Sequence, residues 1–188
     1  MTDLTLPSYY LPPVSYFRQL AHSETATIEV CEHYVKQTLR NRCWIDSPAG
    51  PLSLSIPIEK TLGKTAMRDI CISDHGNWRH QHWNALVSSY GQSPFFEFYA
   101  DEFAPFYERK WTFLVDFNED LLQMLCRELD LPTRFNRTTS YVGETTDSQF
   151  DETPRPYYQM FAHRHGFLPD LSVVDLLFNM GNESILYL

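Results

Sequence analysis

A single three-layer α/β domain, with a mostly parallel central sheet and helices on both faces, is the fold class this sequence predicts. Three observations carry it. The opening reads strand, loop, helix, strand; later helical segments interleave with short strand candidates; and a well-bounded apolar helix stands near the end. No internal repeat and no break in composition divides residues 1–188, which are read as one domain.

Residues 4–6 form a short apolar strand, closed by Pro7 and followed by a turn through Ser8-Tyr9-Tyr10. Pro12-Pro13 then opens a helix with Tyr16, Phe17 and Leu20 on one face, since proline is tolerated in a first helical turn. Residues 25–30 read as a second strand, expected beside the first in a parallel crossover unit. Residues 43–45 and 52–58 are extended segments around a Ser47-Pro48-Ala49-Gly50-Pro51 turn, a hairpin arrangement with Pro57 at an edge or an end.

A third strand candidate, 69–73, leads into a helix carrying Trp83, Leu86, Val87 and Tyr90 on one side. Residues 91–94 break it, after which Phe95, Phe98, Tyr99, Glu102, Phe103 and Phe106 recur at helical intervals. Asp116 and Glu119 have capping-box spacing ahead of Leu121, Leu122, Leu125 and Leu129, and 131–135 is a further strand candidate. Residues 143–156, with four acidic residues and two prolines, read as a loop over a site or an exposed connection. The final helix is the best bounded. Ser172 and Asp175 have the spacing of an N-cap and its partner, Leu171 and Leu176 that of a hydrophobic staple, and Gly181 that of a C-cap.

Hydrophobic residues make up 43% of the chain and aromatics 15%, so large rings must fill the core, line a pocket or cover a partner surface. A formal net charge of -9 argues against nonspecific nucleic-acid binding, which is driven by counterion release onto a basic surface. It leaves room for a small phosphorylated ligand at a local basic site. The 4 cysteines include no CxxC pair and read as reduced thiols of a cytoplasmic protein. No apolar run reaches the roughly eighteen residues of a membrane span, and the first dozen residues lack a basic leader.

Lys36, Arg40 and Arg42 gather three of only 15 basic residues into one short segment. On an extended strand Arg40 and Arg42 point the same way, and a guanidinium fork holds two phosphate or carboxylate oxygens at once. Lys60 and Lys64 add longer, more adjustable charges. The alternative is exposed salt bridges to some of the 24 acidic residues. The loop after the first strand, Pro7-Ser8-Tyr9-Tyr10-Leu11-Pro12, is the second candidate, because that loop faces the ligand in many parallel sheets. Tyr9 and Tyr10 are expected at a pocket rim, or else in simple packing. The loop has no glycine-rich phosphate cradle, which removes support for a dinucleotide fingerprint or a P-loop.

His80 and His82 diverge by roughly 200° on a helix, so a helical zinc-protease pair is missing and no metal site is expected. His82 has Arg79 and Leu86 as helical neighbours and is the preferred proton donor or base, against an ordinary surface histidine. His163 and His165 are candidates to approach it from beyond the irregular loop. Cys43, behind the two arginines, is a weaker nucleophile candidate whose alternative is buried packing. No GxSxG elbow supports serine hydrolysis, and no motif names a cofactor.

Several separated motifs occur in one order: Tyr10-Leu11-Pro12-Pro13-Val14-Ser15-Tyr16-Phe17, Lys36-Gln37-Thr38-Leu39-Arg40-Asn41-Arg42, Leu54-Ser55-Ile56-Pro57-Ile58, His82-Trp83 and Tyr90-Gly91-Gln92-Ser93-Pro94-Phe95-Phe96. Tyr158-Gln159, Gly166-Phe167-Leu168-Pro169-Asp170-Leu171-Ser172 and Asp175-Leu176-Leu177-Phe178-Asn179 continue the series. Together they resemble the WbqC-like protein family over nearly the whole chain. The resemblance implies a setting in bacterial O-antigen or other polysaccharide biosynthesis and raises the expectation of a nucleotide-sugar or acyl-group ligand.

The resulting expectation is a cytoplasmic group-transfer enzyme acting on an activated sugar or related phosphorylated small molecule, on a Rossmann-like or nucleotidyltransferase-like outline. Arg40 and Arg42 would hold the anion, Asn41 would orient a polar group, His82 would exchange a proton, and Tyr9 and Tyr10 would rim the pocket. A homodimer is among the expected states; nucleic acid is not an expected partner. The alternative is a noncatalytic small-molecule-binding or assembly protein of the same kind of pathway.

Overall fold

The carboxyl ends of two neighbouring parallel strands lie beside the basic segment, and the rest of the fold holds them there. The computed structural model describes residues 4–143 and 153–188. Strand β1 (Leu4–Pro7) runs into helix α1 (Val14–Ala21), and β2 (Thr25–Glu29) returns parallel to β1, with Leu4 opposite Ala26 and Leu6 opposite Ile28. Alternation puts Ala26 and Ile28 in the core, each 1% exposed. Strand β5 (Arg134–Arg137) pairs with the other edge of β2, also in parallel, giving the order β1-β2-β5. Separately, β3 (Arg42–Ile45) and β4 (Leu52–Ser55) form an antiparallel hairpin that pairs Arg42 with Ser55 and Trp44 with Ser53. The protein is a mixed α/β fold with a mostly parallel sheet.

Helices α2 (Trp78–Tyr90), α3 (Phe96–Glu108), α4 (Leu114–Glu128), the single turn α5 (Ala162–His165) and α6 (Val173–Met180) complete the α-helices of the described residues. Helix α3 packs against α2, α4 and α6, and α6 packs against α1. Phe178 of α6 sits at the centre of this cluster. Its ring centroid lies 5.1 Å from those of Phe96 and Phe103 and 5.2 Å from that of Tyr90. Much of the aromatic content lies here and in a second cluster around Phe117, while Trp44, Phe98, Tyr141 and Tyr158 are exposed. Gly181 ends α6 at φ 56, and a Cβ there would meet the Phe95 ring at 2.6 Å, so only glycine fits.

Several local expectations need correction. Residues 69–73 are not a strand: Met67–Asp69 is a 3-10 turn, and Cys71 and Ile72 make only isolated bridges to Phe113 and Ile58. The last strand is Arg134–Arg137, displaced towards the C-terminus from 131–135. Asp116 and Glu119 do not cap α4, which begins at Leu114 after Phe113; both carboxylates bind Arg137 at the end of β5. Val87 and Phe98, expected on apolar faces, are exposed. The 143–156 loop falls mainly on residues 144–152, outside the described residues. Among the described residues no helix is long and apolar enough to cross a membrane.

Candidate functional site

Two buried acids organise the carboxyl ends of β1 and β2. Glu29, the last residue of β2, accepts from the backbone N–H groups of Cys31 and Glu32, from the Thr138 hydroxyl, and from the Val142 N–H. These bonds fold the chain after β2 back on itself and bring Glu32 to Arg40, whose Nε donates to Glu32 Oε1 at 2.8 Å. Both partners are almost fully buried. Arg40 also donates to the Thr38 hydroxyl, and its guanidinium carbon lies 5.9 Å from the centre of the Tyr9 ring. The backbone carbonyl of Arg40 accepts from the Asn118 amide, which also donates to the Ser8 hydroxyl just beyond β1. Asn118 Oδ1 is buried without a hydrogen-bond partner among the described residues.

Arg40 precedes β3 and does not share an extended strand with Arg42. Arg40 turns inward, whereas Arg42, the first residue of β3, keeps one side in solvent and donates from Nε to Ser55 Oγ at 2.8 Å. The two still share a neighbourhood. Burial raises the pKa of the Tyr34 hydroxyl, while both guanidinium charges act on it in the opposite direction. Tyr34 was missed by sequence reading; it sits in the loop after β2, where its N–H donates to the Thr65 carbonyl next to exposed Lys64. Asn41 donates to the Ile56 carbonyl, and its own side-chain oxygen is buried without a hydrogen-bond partner among the described residues.

Tyr9 and Tyr10 lie in the core, at 2% and 0% exposure, and not at a rim. Tyr10 and His82 meet: the Tyr10 hydroxyl is 2.9 Å from His82 Nδ1 and 2.9 Å from the Tyr107 hydroxyl. Trp78 and Phe117 close around them. Burial pushes the His82 imidazole down to about 4, only partly offset by its bond to the Ser55 backbone. The ring is therefore neutral at pH 7, with one nitrogen facing the Ser55 backbone and Nδ1 accepting from Tyr10. A short line of hydrogen bonds thus runs His82–Tyr10–Tyr107, while Arg42 bonds the Ser55 side chain, separate from the Ser55 backbone that His82 faces.

His163 and His165 do not approach His82. His165 Nε2 instead comes within 3.0 Å of Asp46 Oδ1, whose second oxygen is buried without a hydrogen-bond partner among the described residues. The Asp46 N–H donates to the Tyr90 hydroxyl, and Tyr90 donates to Asp175 Oδ1. Asp175 also accepts from the Tyr157 hydroxyl and from the amides of Gln159 and Asn179. Burial still raises its pKa to about 6. Asp175 is thus the centre of a buried network, not a capping residue. Its sequence signal is an acid inside the apolar run Val173-Val174-Asp175-Leu176-Leu177-Phe178, which must be paired when the helix is buried on all sides. Burial likewise pushes the Cys43 thiol well up, away from an activated nucleophile, and all 4 cysteines are free.

Two hollows open on the surface, and one of them bears on these groups. A shallow groove of about 660 Å³ runs along α4 and β5, lined by Gln123, Arg134 and Asn136 among others, and touches none of the expected site residues. A cleft of about 260 Å³ between the start of α2 and the end of α3 is lined by Asn77, Arg79, His80, Trp83, Ala104, Tyr107 and Glu108. Tyr107 is therefore both a cleft wall and the outer end of the hydrogen-bonded line from His82.

The chain is 29% identical, over 222 aligned residues covering 96% of it and 94% of the relative, to the uncharacterized protein Rv1507c of Mycobacterium tuberculosis (strain ATCC 25618 / H37Rv). No solved structure matches it. The sequence model of the WbqC-like protein family matches residues 7–153, spanning β1's last residue, the Arg40 and Arg42 segment, the hairpin and helices α1 to α4, and the chain belongs to that family.

Proposed function

We propose that this protein is a group-transfer enzyme acting on an activated sugar or related phosphorylated small molecule in bacterial surface-polysaccharide biosynthesis. The observation that carries the reading is the position of Arg40, bonded to Glu32 just beyond β2 and tied through Asn118 to Ser8 just beyond β1, with Arg42 two residues on, in a chain of net charge -9. In Rossmann-like sheets the carboxyl end of the strands is where ligands bind. Arg42 is the residue that meets the anion, because it is only half-buried whereas Arg40 is almost fully buried. Arg40, its charge matched by buried Glu32, stiffens the loop that carries Arg42. Exposed Lys36 and Lys64 extend the positive field, while Asn41, whose amide donates to the Ile56 carbonyl and whose oxygen is buried, fixes the segment between the two arginines. Neutral His82 acts as a positioning residue through Tyr10, because it is sealed from any ligand at Arg42.

Family membership supports the polysaccharide setting, and the high proportion of acidic residues favours a small phosphorylated ligand over a nucleic acid. The noncatalytic alternative rests on one observation: the titratable group expected to move a proton is buried at 4% exposure. A calorimetric screen of nucleotide sugars, acyl donors and short oligonucleotides, paired with a transfer assay, separates these readings. A nucleotide sugar should bind, and Arg42→Ala should weaken it roughly tenfold or more, as expected for a lost charged hydrogen bond. Binding without turnover selects the noncatalytic alternative. Oligonucleotide binding that is indifferent to R42A overturns the proposal.

A further inference from the structure

We propose that the cleft between α2 and α3 is a second subsite, one that takes the uncharged, hydroxyl-bearing ring of a monosaccharide. The argument starts from what lines it. Trp83 and Tyr107 supply an aromatic wall, with ring centroids 6.0 Å apart and planes 30° from parallel. Asn77, Arg79, His80 and Glu108 supply donors and acceptors around it. Such a wall receives the C–H face of a sugar ring, and a mixed polar rim suits hydroxyls, each of which both donates and accepts.

Charge narrows the ligand further. Arg79 is held by Asp74 at 2.8 Å, and Asp74 also binds Lys110. Glu108 is exposed and makes no ion pair among the described residues, so it repels an anion that would otherwise use Arg79 or His80. Arg79 in turn disfavours a cation at Glu108. A neutral ligand escapes both penalties. Size points the same way: about 260 Å³ falls below the roughly 300 Å³ lower end of drug-sized pockets and suits one ring, not a whole nucleotide sugar.

The cleft also has a physical tie to the rest of the molecule. Tyr107 on its wall bonds Tyr10, and Tyr10 bonds His82, all three buried. The aromatic wall is thus anchored at its inner edge by a bonded line and stays in place without ligand. The subsite does not depend on the phosphorylated-ligand reading, because none of its lining residues belongs to the Arg40 and Arg42 cluster.

The test is an NMR titration that follows the indole N–H signals of the 4 tryptophans, with Trp83 assigned through Trp83→Phe. The probes are D-glucose, D-galactose, D-mannose and N-acetyl-D-glucosamine, with inorganic phosphate and ethylammonium as charged controls. At least one sugar should move the Trp83 signal while leaving that of Trp44, on the hairpin, in place. Glu108→Ala changes only an exposed side chain and should weaken that response roughly tenfold, with Glu108→Gln restoring part of it. Three results overturn the subsite: no Trp83 shift with any sugar, a shift with phosphate or ethylammonium alone, or a sugar response unchanged in E108A. A nucleotide sugar that still binds through Arg42 in any of these cases leaves the phosphorylated-ligand reading standing.

Discussion

His82 and Asp175 are both buried titratable groups hydrogen-bonded to tyrosine, yet they do opposite things to the protein. Around His82 the neighbours are mainly rings, so the imidazole stays neutral and its ordinary pKa of 6.5 falls to about 4. Around Asp175 the neighbours are donors: Tyr90, Tyr157, Gln159 and Asn179 all point at the carboxylate. Those bonds oppose the desolvation penalty but do not overcome it, and a pKa ordinarily 3.8 rises to about 6. The lesson is that burial wins in both places, with the sign set by which protonation state carries the charge. The two also differ in reach. His82 is joined through Tyr10 to Tyr107 on the wall of the α2–α3 cleft, while Asp175 ties α6 to α2 and to the segment holding Tyr157 and Gln159.

The largest expected effect comes from breaking the acidic network. Asp175→Ala leaves two tyrosine hydroxyls and two amides short of their shared acceptor, and should cost roughly 3 kcal/mol or more by denaturant unfolding at neutral pH. A loss below about 1 kcal/mol would show that the donors find other partners.

A pH series sharpens the comparison. His82 binds its proton less readily in the folded chain, so its contribution to stability is present above about 6.5 and is lost as pH falls toward about 4. Asp175 binds its proton more readily, so its contribution is present below 3.8 and is lost as pH rises through about 6. At about 1.36 kcal/mol per pKa unit, each amounts to up to about 3 kcal/mol over nearly the same window, in opposite directions. Relative to His82→Leu, the wild type should lose ground as the solution is acidified; relative to Asp175→Asn, it should lose ground as pH is raised. Parallel wild-type and variant curves would remove the assignment.

The smallest effect concerns the cap of α6. Ser172 accepts from the Val174 N–H, but at 3.5 Å, so Ser172→Ala should cost only about 0.5 kcal/mol, the low end for an N-cap. A loss near 2 kcal/mol would mean that the bond is tighter in solution.

Residues that act through near neighbours were legible in the sequence. The β1–α1–β2 crossover, the hairpin and the bounds of α6 all follow from proline, turn chemistry and apolar spacing, and Leu171 and Leu176 are both buried at their staple positions. Asp175 shows the limit. Its three-residue offset from Ser172 matches a capping box, but of its four donors Tyr90 stands 85 residues away and Tyr157 and Gln159 stand 18 and 16 away, contacts that no local spacing records. Asp116 and Glu119 were misread for the same reason, being claimed by Arg137 at 21 and 18 residues' separation. At the candidate site the sequence picked out Arg40 and Arg42 by charge density, and it brought Tyr10 and His82 forward without any sign that they touch. Burial divides those candidates, and burial is decided by the packing of α2, α3 and α4 around them.

The pinning of α1 by the far end of the chain bears on how the protein is made. The Val14 N–H donates to the Leu171 carbonyl, the Val173 N–H to the Pro12 carbonyl, and Arg18 to the Tyr187 carbonyl. During synthesis, α1 leaves the ribosome long before these partners are translated, and its Tyr16, Phe17 and Leu20 face must wait without its permanent cover. Folding to completion is therefore deferred until residues 171–187 have cleared the exit tunnel, and a stalled or prematurely terminated chain presents that apolar face to chaperones and proteases.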